Sequence, residues 1–253
     1  MELWTATHAK TLIPAVIIML ILAIVLRKLL GKKDLKIRMI PFQIVACLIL
    51  VLEIGKQGLS LYEGYDLYHL PFHFCSLFIF MMPIMAFYKG KHRTAVTAIT
   101  SAISMATTLL TLVYPCLIYS ADNVSNFFSS YFDFHTVAFH NLVILGLILI
   151  LALDLHTPAP KGETKPIILF IICFCIISAT MAQLLQTNFN NFYSCNIPPL
   201  ENLRIGLQGT LGYGVTQGLY IAIVTVLDIC FVFSSYWLYR LLRAITTKKE
   251  RVA

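Results

Sequence analysis

Residues 11–30 read TLIPAVIIMLILAIVLRKLL, an apolar run with no charged side chain before Arg27. A helix rises about 1.5 Å per residue, so a run of this length spans about 30 Å, the thickness of a bilayer's hydrocarbon core. Similar runs recur near 39–57, 70–88, 94–119, 133–154, 166–185 and 214–240. The whole chain agrees with them: 58% of its 253 residues are hydrophobic and only 12% are charged. Lipid offers no partner to a bare peptide group, so spans of this kind fold as helices. The sequence therefore predicts an all-α polytopic membrane protein, a seven-transmembrane-helix bundle forming one domain over residues 1–253.

The charges set an orientation. Arg27, Lys28, Lys32, Lys33, Lys36 and Arg38 follow the first run, Lys89, Lys91 and Arg93 the third, and Lys161 and Lys165 the fifth. Arg240, Arg243, Lys248, Lys249 and Arg251 follow the last. The alternate joints are poorer in cations and carry Glu63, Asp66, Asp122 and Glu201. Positive loops stay in the cytosol, which predicts an outside N-terminus, a cytosolic C-terminus and a multi-pass protein of the cell membrane. The stretch WTATHAK before the first run is no compact basic leader, so that run is read as a retained helix rather than a signal peptide. The net charge of +7 is spread among apolar spans with no aromatic-basic surface motif, and no nucleic-acid partner is expected. No internal repeat supports a transporter built from inverted halves. Seven cysteines without a CxxC pair give neither a disulfide scaffold nor a zinc ribbon, and no cofactor is expected.

Polar residues inside the spans gather in one layer. Counting from the outer ends, His73 and Cys75 of LPFHFCS (70–76) lie one to two turns down, His140 with Asn141 about two turns down, and Glu53 about a turn down. Thr107, Thr108, Thr111, Gln183, the segment TNFNNFY (187–193), Tyr213, Gln217 and Tyr220 fall in the same half, and His8 precedes the first span on that side. Asp228, midway along the last span, is the exception. Ionisable groups in lipid are costly unless they face a partner or a wet cavity, so this layer predicts a cavity open to the outer leaflet. His8, Lys56, His69 and His135 are shallow enough to fit headgroup contact equally well.

Three chemistries suit such a cavity. A cysteine attacks as thiolate once a base takes its proton and a third group orients the base. Cys75 and His140 supply the first two at matched depth, Glu53 a candidate third, and Asn188, Asn190 or Gln217 candidate donors to an oxyanion. The opposing readings are an ordinary buried thiol for Cys75 and an interhelical hydrogen bond for His140. His73 is the weaker base, because residues two apart on a helix point away from each other. A zinc site is the second chemistry: His69 and His73 at i, i+4, completed by His135 or His140 with Glu53, although no HExxH is present. A non-catalytic lipid or small-molecule binding or transport protein is the third.

The stretches WTATHAKTLI (4–13), LEIGKQ (52–57), LPFHFCSLFIFM (70–81), FDFHTVAFHNLVIL (132–145) and NFNNFYSC (188–195) together resemble the YwaF-type family of bacterial integral membrane proteins. That family is similar to an animal transmembrane acyltransferase acting on ether lysophospholipids and, more distantly, to membrane hydrolases of branched fatty acid esters. The resemblance implies acyl transfer by a nucleophile on one span and a histidine on a later one. Position by position, the family's cysteine falls on Cys75, its histidine on His140, its early histidine on His8 and its second-span glutamate on Glu53. The family's glycine-bearing segment after the sixth span is here Asn188 to Asn191, without glycine. The expectation is a lipid acyltransferase or ester hydrolase: Cys75, His140 and Glu53 are catalytic, and His8, His73, Asn188, Tyr213 and Gln217 contact a phospholipid or other acyl lipid that reaches the thiol laterally. The acyl donor, the acceptor, the oligomeric state and a Cys116–Cys195 disulfide are left open.

Overall fold

The structure is a computed structural model that describes residues 3–159 and 161–250, the side chains of 246–250 apart. The described residues form helices and loops, with no strand among them. Six helices are long and apolar enough to cross a membrane: α1 (Ala6–Leu30), α2 (Leu35–Glu63), α4 (Arg93–Val113), α7 (Tyr131–Ala152), α8 (Thr164–Leu185) and the Tyr213–Ile245 part of α10 (Tyr213–Glu250). α3 (Leu77–Phe87) is shorter, α5 (Pro115–Ile118) and α6 (Ala121–Ser125) are single turns, and α9 (Pro198–Leu211) lies between α8 and α10.

Two expected spans shrink. The 70–88 run is helical only from Leu77, because Pro71 has no amide hydrogen to donate and holds Leu70 extended (φ −61°, ψ 146°). The 94–119 run stops at Val113, where Tyr114 leaves helical geometry before Pro115. The other five runs lie within or close to the ends of their helices.

α4 is the central helix, packed against α10, α7, α3 and α8. Every residue from Thr97 to Thr108 is buried. Its small side chains, Ala98, Ala102 and Ala106 among them, let neighbouring backbones approach, as helices in lipid require. Around it close Phe42 and Ile49 of α2, Phe78 and Met82 of α3, and Val143 and Ile150 of α7. α1 and α10 turn outward-facing rows such as Ile17, Ile21, Ile24 and Ile223, Val226, Leu227 away from the core. In a soluble protein such rows would be a liability; against acyl chains they are the expected outer surface.

The last carbonyls of α7 are taken by arginines from other helices. Arg27 donates to the Ala152 carbonyl (2.5 Å), Arg38 to that of Leu153 (2.8 Å) and Arg243 to that of Leu151 (3.2 Å). Arg27 and Arg243 also pair with Asp154, at 3.3 and 2.5 Å. A helix C-terminus leaves carbonyls without partners and carries partial negative charge, so cations settle there. Beside it His156 donates through Nε2 to Glu163 (3.2 Å), Ser101 bonds His156 Nδ1 (2.8 Å), and Tyr236 donates to Glu163. This buried network joins α4, the loop before α8 and α10.

Candidate functional site

Cys75 sits in a turn rather than on a long helix. Asp66 accepts from the Tyr68 amide (2.9 Å) and starts a 3-10 turn at Leu67–His69; an extended His73 then leads into a second, Phe74–Ser76, that runs into α3. His69 and His73 consequently share no helical face, which removes the geometry expected of an i, i+4 metal pair. His69 instead bonds Ser60 through Nδ1 (2.8 Å) and stacks on Phe132, while His73 donates to the Tyr68 carbonyl (3.1 Å). Burial holds the His69 imidazole below its ordinary range, with the Asp66 carboxylate opposing that shift. Among the described residues no three His, Cys, Asp or Glu side chains gather to hold a metal ion.

A cavity of about 510 Å³ opens beside this turn. Cys75 and His140 both line it, brought there from the turn before α3 and from α7, as do Glu53, His73, Asn188, Asn190 and Asp228. Leu110, Leu117, Phe139, Val224 and Val232 give it apolar walls. No described hydrogen bond joins Cys75 directly to His140.

The ring of His140 is held by its own helix. Nδ1 donates to the Thr136 carbonyl one turn earlier at 2.7 Å. A carbonyl only accepts, so the proton is on Nδ1 and Nε2 keeps its lone pair, the tautomer a general base needs. Glu53, expected to orient this ring, serves another. Its Oε2 accepts from His135 Nε2 (3.1 Å), and its Oε1 pairs with Lys56 (2.7 Å) and accepts from Gln57 (2.7 Å). Gln57 also donates to the His69 carbonyl (2.8 Å), tying the end of α2 to the turn before Cys75.

The segment after α8 turns back into the bundle. Gln186, Asn190 and Asn191 adopt left-handed backbone angles (φ 49°, 49° and 61°), which asparagine tolerates better than most residues and which glycine would supply elsewhere. Phe189 and Phe192 are fully buried. Phe189 meets the rings of Phe72 and His73 at 5.3 and 5.4 Å, so the segment lies against the turn that carries Cys75. Asn188 accepts from the Tyr193 and Ser194 amides (3.2 Å each).

A model of the TMEM164 family matches residues 3–235, from the approach to α1 to well along α10. The chain belongs to the TMEM164 family. The matched region contains Glu53, Cys75, His140, the whole cavity wall and the apolar helices, and membership agrees with a multi-pass membrane protein. No curated protein and no solved structure matches the chain.

Not every expected residue of this TMEM164-family chain reaches the cavity. His8 is fully buried and lies outside the cavity lining; it donates through Nε2 to the Tyr119 carbonyl (3.0 Å) and bonds Thr5 through Nδ1 (2.7 Å). His135 is also buried, against Glu53, but it does line the cavity. Gln217 uses its amide on the Phe192 carbonyl (2.8 Å) and accepts from Arg204 (2.7 Å), which also pairs with Glu201 and keeps that carboxyl below its usual range. Tyr213 is exposed and donates to Gln183 (2.9 Å). All seven cysteines, Cys116 and Cys195 included, are free. Sequence reasoning assigned no role to Asp228, which accepts from Asn190 Nδ2 at 2.8 Å; the usable signal was an aspartate inside an apolar run, which in lipid must find a partner.

Proposed function

We propose that this protein carries out acyl transfer or ester hydrolysis on a membrane lipid through a Cys75 thioester, with His140 as base and then acid. The observation that carries this reading is that a cysteine from the turn before α3 and a histidine from α7 line one cavity, with the histidine in the tautomer that leaves Nε2 free. Nε2 takes the Sγ proton as the sulfur attacks the ester carbonyl carbon, the carbon–oxygen bond breaks, and the protonated imidazole returns that proton to the leaving alkoxide. Water or an acceptor hydroxyl then gives its proton to Nε2 and attacks the thioester, and the thiolate leaves and is reprotonated. Side-chain amides of the 188–196 segment are the candidate donors to the oxyanion.

The narrower likeness to YwaF-type bacterial proteins and their acyltransferase relatives supports the same chemistry. A seven-span topology follows if the short α3, preceded by the 70–76 turns, completes a crossing. The α1 start bonds the segment after α4 and both the α1 end and Arg243 bond Asp154, which favours chain ends on opposite sides, and the cation-rich joints favour an outside N-terminus. Amphiphile entry from the outer leaflet of the cell membrane fits a cavity lined by both polar and apolar side chains.

Release of fatty acid, or its transfer to an added lysophospholipid, from diacyl phospholipid in proteoliposomes tests the reading. Activity in wild type that disappears in Cys75→Ala and in His140→Ala supports it. Turnover that persists in Cys75→Ala contradicts it, and absence of turnover with any lipid tried points to the binding protein.

A further inference from the structure

Asp228 lies about four turns into α10, counted from Tyr213, a depth at which a carboxylate is costly without a partner. No Lys, Arg or His of the described residues pairs with it. Its Oδ2 accepts from Asn190 Nδ2 (2.8 Å) and from Cys175 Sγ (3.7 Å). Asn190 is one of two consecutive residues held in the left-handed region, so this bond fixes the most constrained point of the returning segment.

α10 grips the same segment at two further points. Gln217 donates to the Phe192 carbonyl (2.8 Å) and Tyr220 to the Asn191 carbonyl (2.6 Å). Along the helix the order is Gln217, Tyr220, Asp228, and along the segment it is Phe192, Asn191, Asn190, so the two run as antiparallel rungs with Asp228 deepest. Next to Asn190 stands Phe189, fully buried against Phe72 and His73. Those residues lead directly into the turn carrying Cys75. The physical path runs from the α10 carboxylate, through one amide and one aromatic contact, to the backbone of the nucleophile.

We infer that Asp228 is a positioning residue for Cys75: by holding Asn190 it seats Phe189 against the 70–76 turn and keeps the thiol packed in the cavity wall. This rests on the reading of Cys75 as the nucleophile, yet it is testable without acyl chemistry. Loss of the Asp228–Asn190 bond loosens the turn and exposes the thiol, and the contribution is the hydrogen bond rather than the charge.

The test is the rate of Cys75 alkylation by N-ethylmaleimide in detergent-purified protein, followed by peptide mass spectrometry, with the exposed thiols Cys47, Cys173 and Cys230 as internal references. Asp228→Ala and Asn190→Gly, the latter keeping the left-handed backbone accessible, should each accelerate Cys75 by about fivefold or more, the scale of losing one buried contact. The double variant should match either single one, because both remove the same bond. Asp228→Asn, which still offers a carbonyl oxygen to Asn190, should stay within about twofold of wild type. Multiplying effects in the double variant, or an Asp228→Asn as reactive as Asp228→Ala, would overturn the inference. Should Asp228→Ala not fold, Asn190→Gly and Asp228→Asn decide alone: acceleration in the first only supports it, and no acceleration in the first overturns it. Failure of the lipid assay with this coupling intact would count against the acyl chemistry and leave the positioning in place.

Discussion

Glu53 Oε2 lies 3.1 Å from His135 Nε2, and the same carboxylate holds Lys56 at 2.7 Å. Glu53 is thus the shared counter-ion of buried His135 and partly buried Lys56 at the cavity edge. Removing one partner of a buried pair leaves the other uncompensated, at a cost of about 3–5 kcal/mol. Glu53→Ala should therefore lower the thermal unfolding midpoint strongly, whereas the folded fraction keeps its Cys75 chemistry. His140→Ala should do the reverse, costing about 10²-fold or more in rate with little effect on the midpoint. A stable Glu53→Ala protein with abolished turnover would restore Glu53 to the catalytic group.

Gly55 leaves room on α2 for the Tyr131 side chain of α7. A Cβ at this position would lie 2.1 Å from the Tyr131 hydroxyl, which donates to the Leu52 carbonyl at 2.9 Å. Gly55→Ala forces that ring away and breaks its bond, and should destabilise by about 1–3 kcal/mol despite alanine's better helix propensity. Gly58→Ala, three residues on and with open space around the added carbon, is the control and should be neutral or stabilising.

Asn191 holds a left-handed backbone that glycine also adopts. Asn191→Gly should leave unfolding almost unchanged, because Gly adopts φ 61° freely. Asn191→Val should cost about 1–3 kcal/mol, the penalty of a β-branched side chain in that region. Equal stability of the two variants would mean that the segment does not keep this conformation.

Glu163 gives the acid side of the stability curve its sign. Burial works to raise this carboxyl, but the bonds from His156 and Tyr236 outweigh it and leave the group below its ordinary range. A carboxyl depressed in the folded state stabilises fully above its unfolded value of about 4.3, and that contribution fades as pH falls through the lower folded value. The midpoint of wild type should therefore drop more steeply than that of Glu163→Gln below about pH 4.3. Parallel curves would show that Glu163 is not held in this way.

Much of this was legible because lipid imposes a simple rule on sequence. Length and apolarity located the helices, and depth counting placed Cys75, His140 and Glu53 on one cavity before any contact was known. The details set by long-range partners were not legible. Glu53 had two histidines within reach, and only the helix rotation of α7 decides for His135. Pro71 signalled that the third run would not begin as a helix, but the paired 3-10 turns depend on Asp66 and on packing. Arg27, Arg38 and Arg243 read as topology charges; that they also close the end of α7 requires contacts 92 to 125 residues apart in sequence. α9 was missed altogether, although Leu200, Leu203, Leu207 and Leu211 fall on one helical stripe and Pro198 opens it.

The most direct measurement is the intact mass of the detergent-purified protein after incubation with diacyl phospholipid, compared among wild type, Cys75→Ala and His140→Ala. Wild type should carry a hydroxylamine-labile acyl adduct that forms slowly in His140→Ala and is absent from Cys75→Ala. An adduct of equal yield in Cys75→Ala would place the chemistry on another residue and contradict a Cys75 thioester.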